Sequence, residues 1–72
     1  MSALLHIRKH ILKITQAEMA AIAGVRQATV SRWESGSLSP ALVQMAAVRQ
    51  AAFDRGIPWS DAWFFEQAEI AA

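Results

Sequence analysis

The chain has no cysteine and no tyrosine among its 72 residues, and only three glycines and two prolines. The lack of cysteine excludes disulfides and thiolate metal sites, so packing of secondary structure must hold the fold together. No apolar run reaches the roughly 20 residues of a membrane span, and no signal-peptide pattern follows Met1. No alternating apolar and polar run indicates a β-strand. We therefore expect one small, all-α, cytoplasmic domain over residues 1–72.

The hydrophobic content of 54% is mostly alanine, leucine, isoleucine and valine, which favours closely packed helices. Start and stop signals predict five of them. Helix 1 runs from about Ser2 to Leu12, helix 2 begins at Thr15, helix 3 spans about Gln27 to Ser35, helix 4 runs from Pro40 to about Arg55, and helix 5 covers about 58–70. Thr15 and Glu18 have the spacing of a capping box at the start of helix 2. Ser39 is the expected cap of helix 4.

The segment of residues 15–36 has the pattern of two short helices joined by a tight turn. Met19 and Ala23 form an inner stripe on the first helix, and the small Ala20 allows a second helix to cross closely. Gly24 can adopt positive φ and close the first helix. Trp33 is expected on the inner side of the second helix. This arrangement predicts a helix-turn-helix.

The segment resembles the Cro/C1-type (XRE-like) helix-turn-helix regulators of phages and bacteria. The resemblance rests on Ile14-Thr15-Gln16 at the start of helix 2, on Trp33-Glu34-Ser35-Gly36 at the end of helix 3, and on the flanking Ile7-Arg8, Pro40 and Trp59 to Phe65. It implies a compact five-helix, lambda-repressor-like DNA-binding domain with helix 3 in the major groove. Three features depart from the family pattern: Arg26 replaces the usual serine or threonine cap, Ala28 replaces a polar base reader, and residues 40–56 are about one turn longer.

The outward positions of helix 3 are the expected base readers, namely Arg26, Gln27, Ala28 and Arg32. An arginine fork matches guanine O6 and N7, a glutamine amide matches adenine N7 and N6, and an alanine methyl can touch thymine. Either arginine could instead contact phosphate. The expected phosphate contacts are Gln16, Lys13, Arg8, Thr29, Ser31, Ser35 and Ser37. The alternatives are a solvated Gln16 and a loop at residues 35–37 that only ends a helix.

Charge is unevenly distributed although the net charge is only +1. Residues 1–36 carry five Lys or Arg and two Glu, giving +3, whereas residues 37–72 carry two Arg and four Asp or Glu, giving −2. The basic half therefore contains the motif, as nucleic-acid binding requires.

Two histidines, His6 and His10, have a spacing that can hold zinc, but no third ligand or cysteine accompanies them. No nucleophile elbow or pair of catalytic carboxylates is evident. We expect no metal, no cofactor and no small-molecule ligand, and we expect the protein not to be an enzyme.

The closing segment is rich in aromatic residues for so short a chain. Trp59, Trp63, Phe64 and Phe65 are the expected dimer contacts, because a two-fold interface suits a palindromic DNA site. The alternative is that these side chains cover the core. The sequence thus predicts a dimeric repressor that binds an inverted-repeat operator in double-stranded DNA. The competing interpretation is an antitoxin-like subunit that holds a partner protein through its aromatic end.

Overall fold

The computed structural model describes residues 3–65, which form four helices, one 3-10 turn and no β-strand. The first helix, α1, is α-helical over Ala3–His6 and π-helical over Ile7–Leu12. The others are α2 (Gln16–Ala23), α3 (Gln27–Ser35) and α4 (Leu42–Asp54), followed by a 3-10 turn over Asp61–Phe64. The all-helical prediction is confirmed.

Each helix contributes one large, fully buried side chain to a shared core. Ile7, Met19, Val30 and Val48 have no exposed surface, and Trp33 retains only 4% of its surface. Burying an aliphatic side chain of this size stabilises the fold by about 1.5 to 3 kcal/mol. The inward placement of Trp33 and Met19 is therefore confirmed. In this core α2 packs against both α3 and α4, while α1 packs against α3 and the 3-10 turn.

The turn between α2 and α3 follows from Gly24. Its φ of 71° lies in the left-handed region, which side chains rarely occupy. Its amide donates to the carbonyl of Ala20, and the amide of Val25 donates to the same oxygen at 3.0 Å. Two hydrogen bonds to one carbonyl end α2 within one residue, so α3 can begin at Gln27 and cross it. The helix-turn-helix prediction is confirmed in this geometry.

The predicted capping box at the start of α2 is also present. Thr15 Oγ1 accepts the Glu18 amide at 3.1 Å, and Glu18 Oε1 accepts the Thr15 amide at 2.9 Å. The Thr15 amide and hydroxyl lower the pKa of the Glu18 carboxyl because they stabilise its charged form. The box therefore fixes where α2 begins.

Two predictions beyond the motif were wrong or only partly right. Helix 4 does not begin at Pro40 with Ser39 as its cap: Ala41 is the capping residue, and Gln44 Oε1 accepts the Ala41 amide at 2.7 Å. A glutamine three residues into the helix thus replaces the serine cap. The five-helix count is not confirmed, because within residues 3–65 the closing segment forms only the 3-10 turn. The rest of predicted helix 5, residues 66–70, lies outside the described residues.

Candidate nucleic-acid interface

The outer face of α3 is open to solvent. Arg26, Gln27, Ala28, Ser31 and Arg32 are all exposed, whereas Val30 and Trp33 on the opposite side are buried. This division places all four predicted base readers on the surface. One face of α3 therefore anchors the helix, and the other presents cations, an amide and a methyl group.

Arg26 precedes α3 in an extended conformation, with φ −83° and ψ 155°, and its side chain makes no capping hydrogen bond. Its carbonyl accepts the amides of Thr29 at 2.9 Å and Val30 at 3.3 Å. The backbone alone therefore starts the helix. The arginine that departs from the family's usual cap keeps its guanidinium available at the exposed end of α3.

Two glutamines connect the start of α2 to the start of α3. Gln27 Nε2 donates to Gln16 Oε1 at 3.3 Å, and Gln16 Nε2 donates to Glu34 Oε1 at 2.9 Å. The Gln16 amide is thereby oriented, because its oxygen and nitrogen have different partners, and the Gln27 amide is held through its nitrogen. Gln27 keeps its Oε1 and a second amide hydrogen for another ligand. This is the combination that adenine N6 and N7 require.

Glu34 is the organising residue of this network, a role that no local sequence pattern indicates. Its side chain is only 9% exposed and receives Arg8 Nε on one oxygen, with Arg8 Nη2 at 3.2 Å on the other. Arg8 also donates from Nη1 to the Ile14 carbonyl at 3.0 Å. One carboxylate on α3 thus joins α1 and the first residue of α2. No local spacing rule relates residues 26 positions apart, so only the fold reveals the pair.

Arg8 and Lys13, both expected to contact phosphate, lie in different environments. The guanidinium of Arg8 is engaged within the protein, with a side-chain exposure of 13%. Lys13 is exposed and ends α1 in the left-handed region with φ 56°. We therefore retain Lys13 as a candidate phosphate contact and assign Arg8 to positioning Glu34.

The segment after α3 is a helix-ending turn. Gly36 has φ 87°, and the amides of Ser37 at 2.9 Å and Leu38 at 3.3 Å both donate to the Arg32 carbonyl. These amides are consequently used by the helix end. The Ser35 hydroxyl donates to the Arg32 carbonyl at 3.1 Å and lies 3.0 Å from the Ser37 hydroxyl. Of these two exposed hydroxyls, that of Ser37 is therefore the one whose hydrogen can be donated to a phosphate. Of the other candidates, Ser31 is exposed and Thr29 is half-buried.

The closing aromatic residues divide into two groups. Trp59, Trp63 and Phe64 are half-buried and pack against the core, with Trp59 in edge-to-face contact with both other rings at about 5 Å between centroids. Phe65 is 70% exposed. Three of the four predicted dimer contacts therefore cover the core of their own chain, which was the alternative left open by the sequence.

The rings of the two histidines of α1 are in tilted contact with each other. Their ring centroids are 5.4 Å apart with an angle of 35° between planes.

None of the helices within residues 3–65 is long and apolar enough to cross a membrane.

Comparison with known proteins agrees with this geometry. A family model described as helix-turn-helix matches residues 4–48, which include all of α2, the turn and α3. The chain belongs to the Cro/C1-type, XRE-like helix-turn-helix family, whose members are DNA-binding regulators. No curated protein and no solved structure matches the chain.

Proposed function

We propose that this protein is a sequence-specific transcriptional repressor that binds an inverted-repeat operator as a dimer. The observation that carries the proposal is the outer face of α3, where Arg26, Gln27, Ala28 and Arg32 are exposed together. A helix of this kind fits the width of the major groove. As a repressor, the protein would act by occluding a promoter in a bacterial or phage setting.

The roles of the residues differ in what they contribute. Arg32 and Gln27 read base edges, Arg26 reads the edge of the site from the exposed start of α3, and Ala28 contacts a thymine methyl. Gln16 and Lys13 hold the phosphate backbone, assisted by the hydroxyls of Thr29, Ser31 and Ser37. Glu34 and Arg8 do not contact DNA; they hold Gln16 and α3 in register.

The Gln16–Gln27 contact gives Gln16 a second role. A glutamine that contacts only phosphate would affect all DNA sequences equally, but Gln16 also orients the amide of Gln27. We therefore expect the two residues to be energetically coupled when the protein binds its preferred site. Coupling between contacting residues is commonly about 0.5 to 3 kcal/mol.

The test begins with selection of bound sites from random double-stranded DNA, which defines the operator. Affinities of the wild type, Arg32→Ala, Gln16→Ala, Gln27→Ala and the Gln16→Ala/Gln27→Ala double variant are then measured on that operator and on scrambled DNA. We expect Gln27→Ala and Arg32→Ala to lose about 1 to 3 kcal/mol on the operator and much less on scrambled DNA. The double variant should lose less than the two single losses combined.

The matched control is Lys9→Ala, which removes an exposed cation from α1 rather than from the proposed DNA-binding face or the dimer contact. It should leave operator affinity within about twofold of the wild type, allowing for the loss of one distant charge. Selection that enriches no sequence would contradict the proposed function. Equal losses on operator and scrambled DNA would instead reassign Gln27 and Arg32 to phosphate contacts.

A further inference from the structure

One face of α4 carries apolar side chains into solvent. Leu42 is 80% exposed, Val43 75% and Phe53 59%, and Ala46 lies exposed between them. The opposite side of α4 supplies the buried Val48, Ala51 and Ala52. A helix with apolar residues on both sides is typical of a helix that packs on two partners.

The exposed residues are arranged in a symmetric seam. Val43, Ala46, Gln50 and Phe53 follow one another at intervals of three, four and three residues, which is the spacing of helix-to-helix packing. These three intervals are the same whether the helix is followed from Val43 to Phe53 or from Phe53 to Val43. A second copy of α4 running the opposite way can therefore present the same seam.

From this seam we infer that α4 forms a two-fold, antiparallel contact with α4 of a second copy of this chain. The register is centred so that Val43 faces Phe53 of the other copy and Ala46 faces Gln50. In each facing pair a larger side chain packs against a smaller one, as close packing requires. A parallel pairing would oppose Phe53 to Phe53 and leave a gap between the two alanines.

The charges on this face suit a second copy. Arg49 is paired with Asp61 at 3.1 Å, and Gln50 Nε2 donates to Asp54 Oδ1 at 3.0 Å. The charge of Arg49 is thus compensated within the chain, whereas Asp54 keeps its negative charge because the Gln50 amide is neutral. In the antiparallel register the two Asp54 carboxylates lie at opposite ends of the contact, so two copies do not repel each other, and a face with this negative charge does not attract a polyanion. Opposed helix dipoles also favour the antiparallel arrangement.

The size of the face sets the strength of the contact. A helix of 13 residues is about 20 Å long, so the pair buries less than the about 800 Å² per partner of a standard interface. We expect weak self-association in free solution, because interfaces below the standard size are typically weak or transient. Adjacent half-sites on DNA would strengthen it by raising the effective concentration.

The inference deepens the proposed function by naming the dimer face, but its test contains no DNA. Sedimentation velocity over a concentration series measures self-association of the full chain. Val43→Glu and Phe53→Glu should each weaken it by at least about tenfold, since two carboxylates enter the seam. The matched controls are Ala21→Glu, at an exposed position of α2, and Phe65→Glu, on the closing segment. Neither should alter it by more than about twofold.

Cross-linking tests the direction of the helices, and the cysteine-free chain makes it specific. Mild oxidation of equal amounts of Val43→Cys and Phe53→Cys chains should give a heterodimer well above the twofold excess over either homodimer that random pairing produces, because a disulfide needs Cα atoms within about 7 Å. Dominant Val43→Cys homodimers would overturn the antiparallel register. A face covered by residues 66–72 of its own chain or by an unrelated protein would leave the purified wild type monomeric at every concentration. That result, or dissociation by Phe65→Glu alone, would overturn the inference.

Circular dichroism of each variant distinguishes a lost contact from a lost fold. Val43 and Phe53 are largely exposed, so helical content should remain within error of the wild type. An unchanged spectrum with unchanged self-association in both glutamate variants would also overturn the inference. If the glutamate variants leave self-association unchanged but selection still yields an operator, the DNA-binding proposal stands and only the assignment of the dimer contact to α4 is wrong.

Discussion

Arg8 and Glu34 form an ion pair that ties α1 to α3 across 26 positions of sequence, with side chains only 13% and 9% exposed. The pair lies behind the predicted DNA-contacting surface and holds Gln16 through the same carboxylate. Its contribution should therefore differ from that of an exposed ion pair. The chain contains such a comparison in Arg49 and Asp61, whose side chains are 44% and 60% exposed.

Removal of Glu34 should destabilise the protein far more than removal of Asp61. Glu34→Ala leaves the largely buried Arg8 guanidinium without its carboxylate, and we expect a loss of about 2 to 3 kcal/mol in the free energy of unfolding. Asp61→Ala should cost no more than about 1 kcal/mol because water and salt screen the exposed ion pair, and the exposed Trp59 Nε1, which donates to Asp61 at 2.9 Å, can donate to water instead. Urea denaturation followed by circular dichroism measures both values. Equal losses would argue against a structural role for the Arg8–Glu34 pair.

Lys13→Gly should change stability and DNA affinity in opposite directions. Glycine tolerates the left-handed φ of 56°, so the free energy of unfolding should rise by up to about 1 kcal/mol. The lost phosphate contact should lower operator affinity and reduce the salt-dependence slope by about 1. Thermal melts and salt titrations provide the two measurements. Lys9→Ala, at an exposed position of α1, is the control and should leave the slope nearly unchanged.

The capping box should give stability a dependence on acidic pH. The folded-state pKa of Glu18 is lowered, chiefly by the Thr15 amide, so its contribution is present above the unfolded pKa. It is lost as pH falls from there through the lower folded-state pKa. Melting temperatures measured through this acidic range should therefore fall less steeply in Glu18→Gln than in the wild type.

Thr15→Ala separates the two parts of the box. It removes the hydroxyl that caps α2 but keeps the backbone amide that is the main cause of the lowered Glu18 pKa. We expect a lower melting temperature at every pH, with most of the acid dependence retained. If the melting temperatures of Glu18→Gln and the wild type fell in parallel with decreasing pH, Glu18 would not be the source of the acid dependence.

Phe64→Asp and Phe65→Asp should have different effects although the residues are adjacent. Phe64 packs against the core, so a carboxylate there should lower stability by about 3 kcal/mol. Phe65 is 70% exposed, and its replacement should cost less than about 0.5 kcal/mol. Denaturation curves compare the two variants. A stable Phe64→Asp monomer would instead return this residue to the predicted dimer contacts.

Local signals predicted the motif well because each of its features depends on neighbouring residues. Thr15 and Glu18 form their capping box within one helical turn, and Gly24 ends α2 because of its own backbone freedom. Ser39 and Pro40 show the limit of such signals. A serine followed by proline can start a helix, but Gln44 reaches back to the Ala41 amide, and α4 begins at Leu42 instead.

The sequence by itself determined the all-helical fold, the helix-turn-helix between Thr15 and Gly36 and the exposed side of α3, because periodicity and caps act over a few residues. Only the tertiary structure decided that Arg8 turns inward to Glu34 and that Trp59, Trp63 and Phe64 cover the core. Those outcomes depend on contacts between distant segments. An arginine or an aromatic residue on a helix has the same local pattern whether its partner is DNA, another chain or its own core.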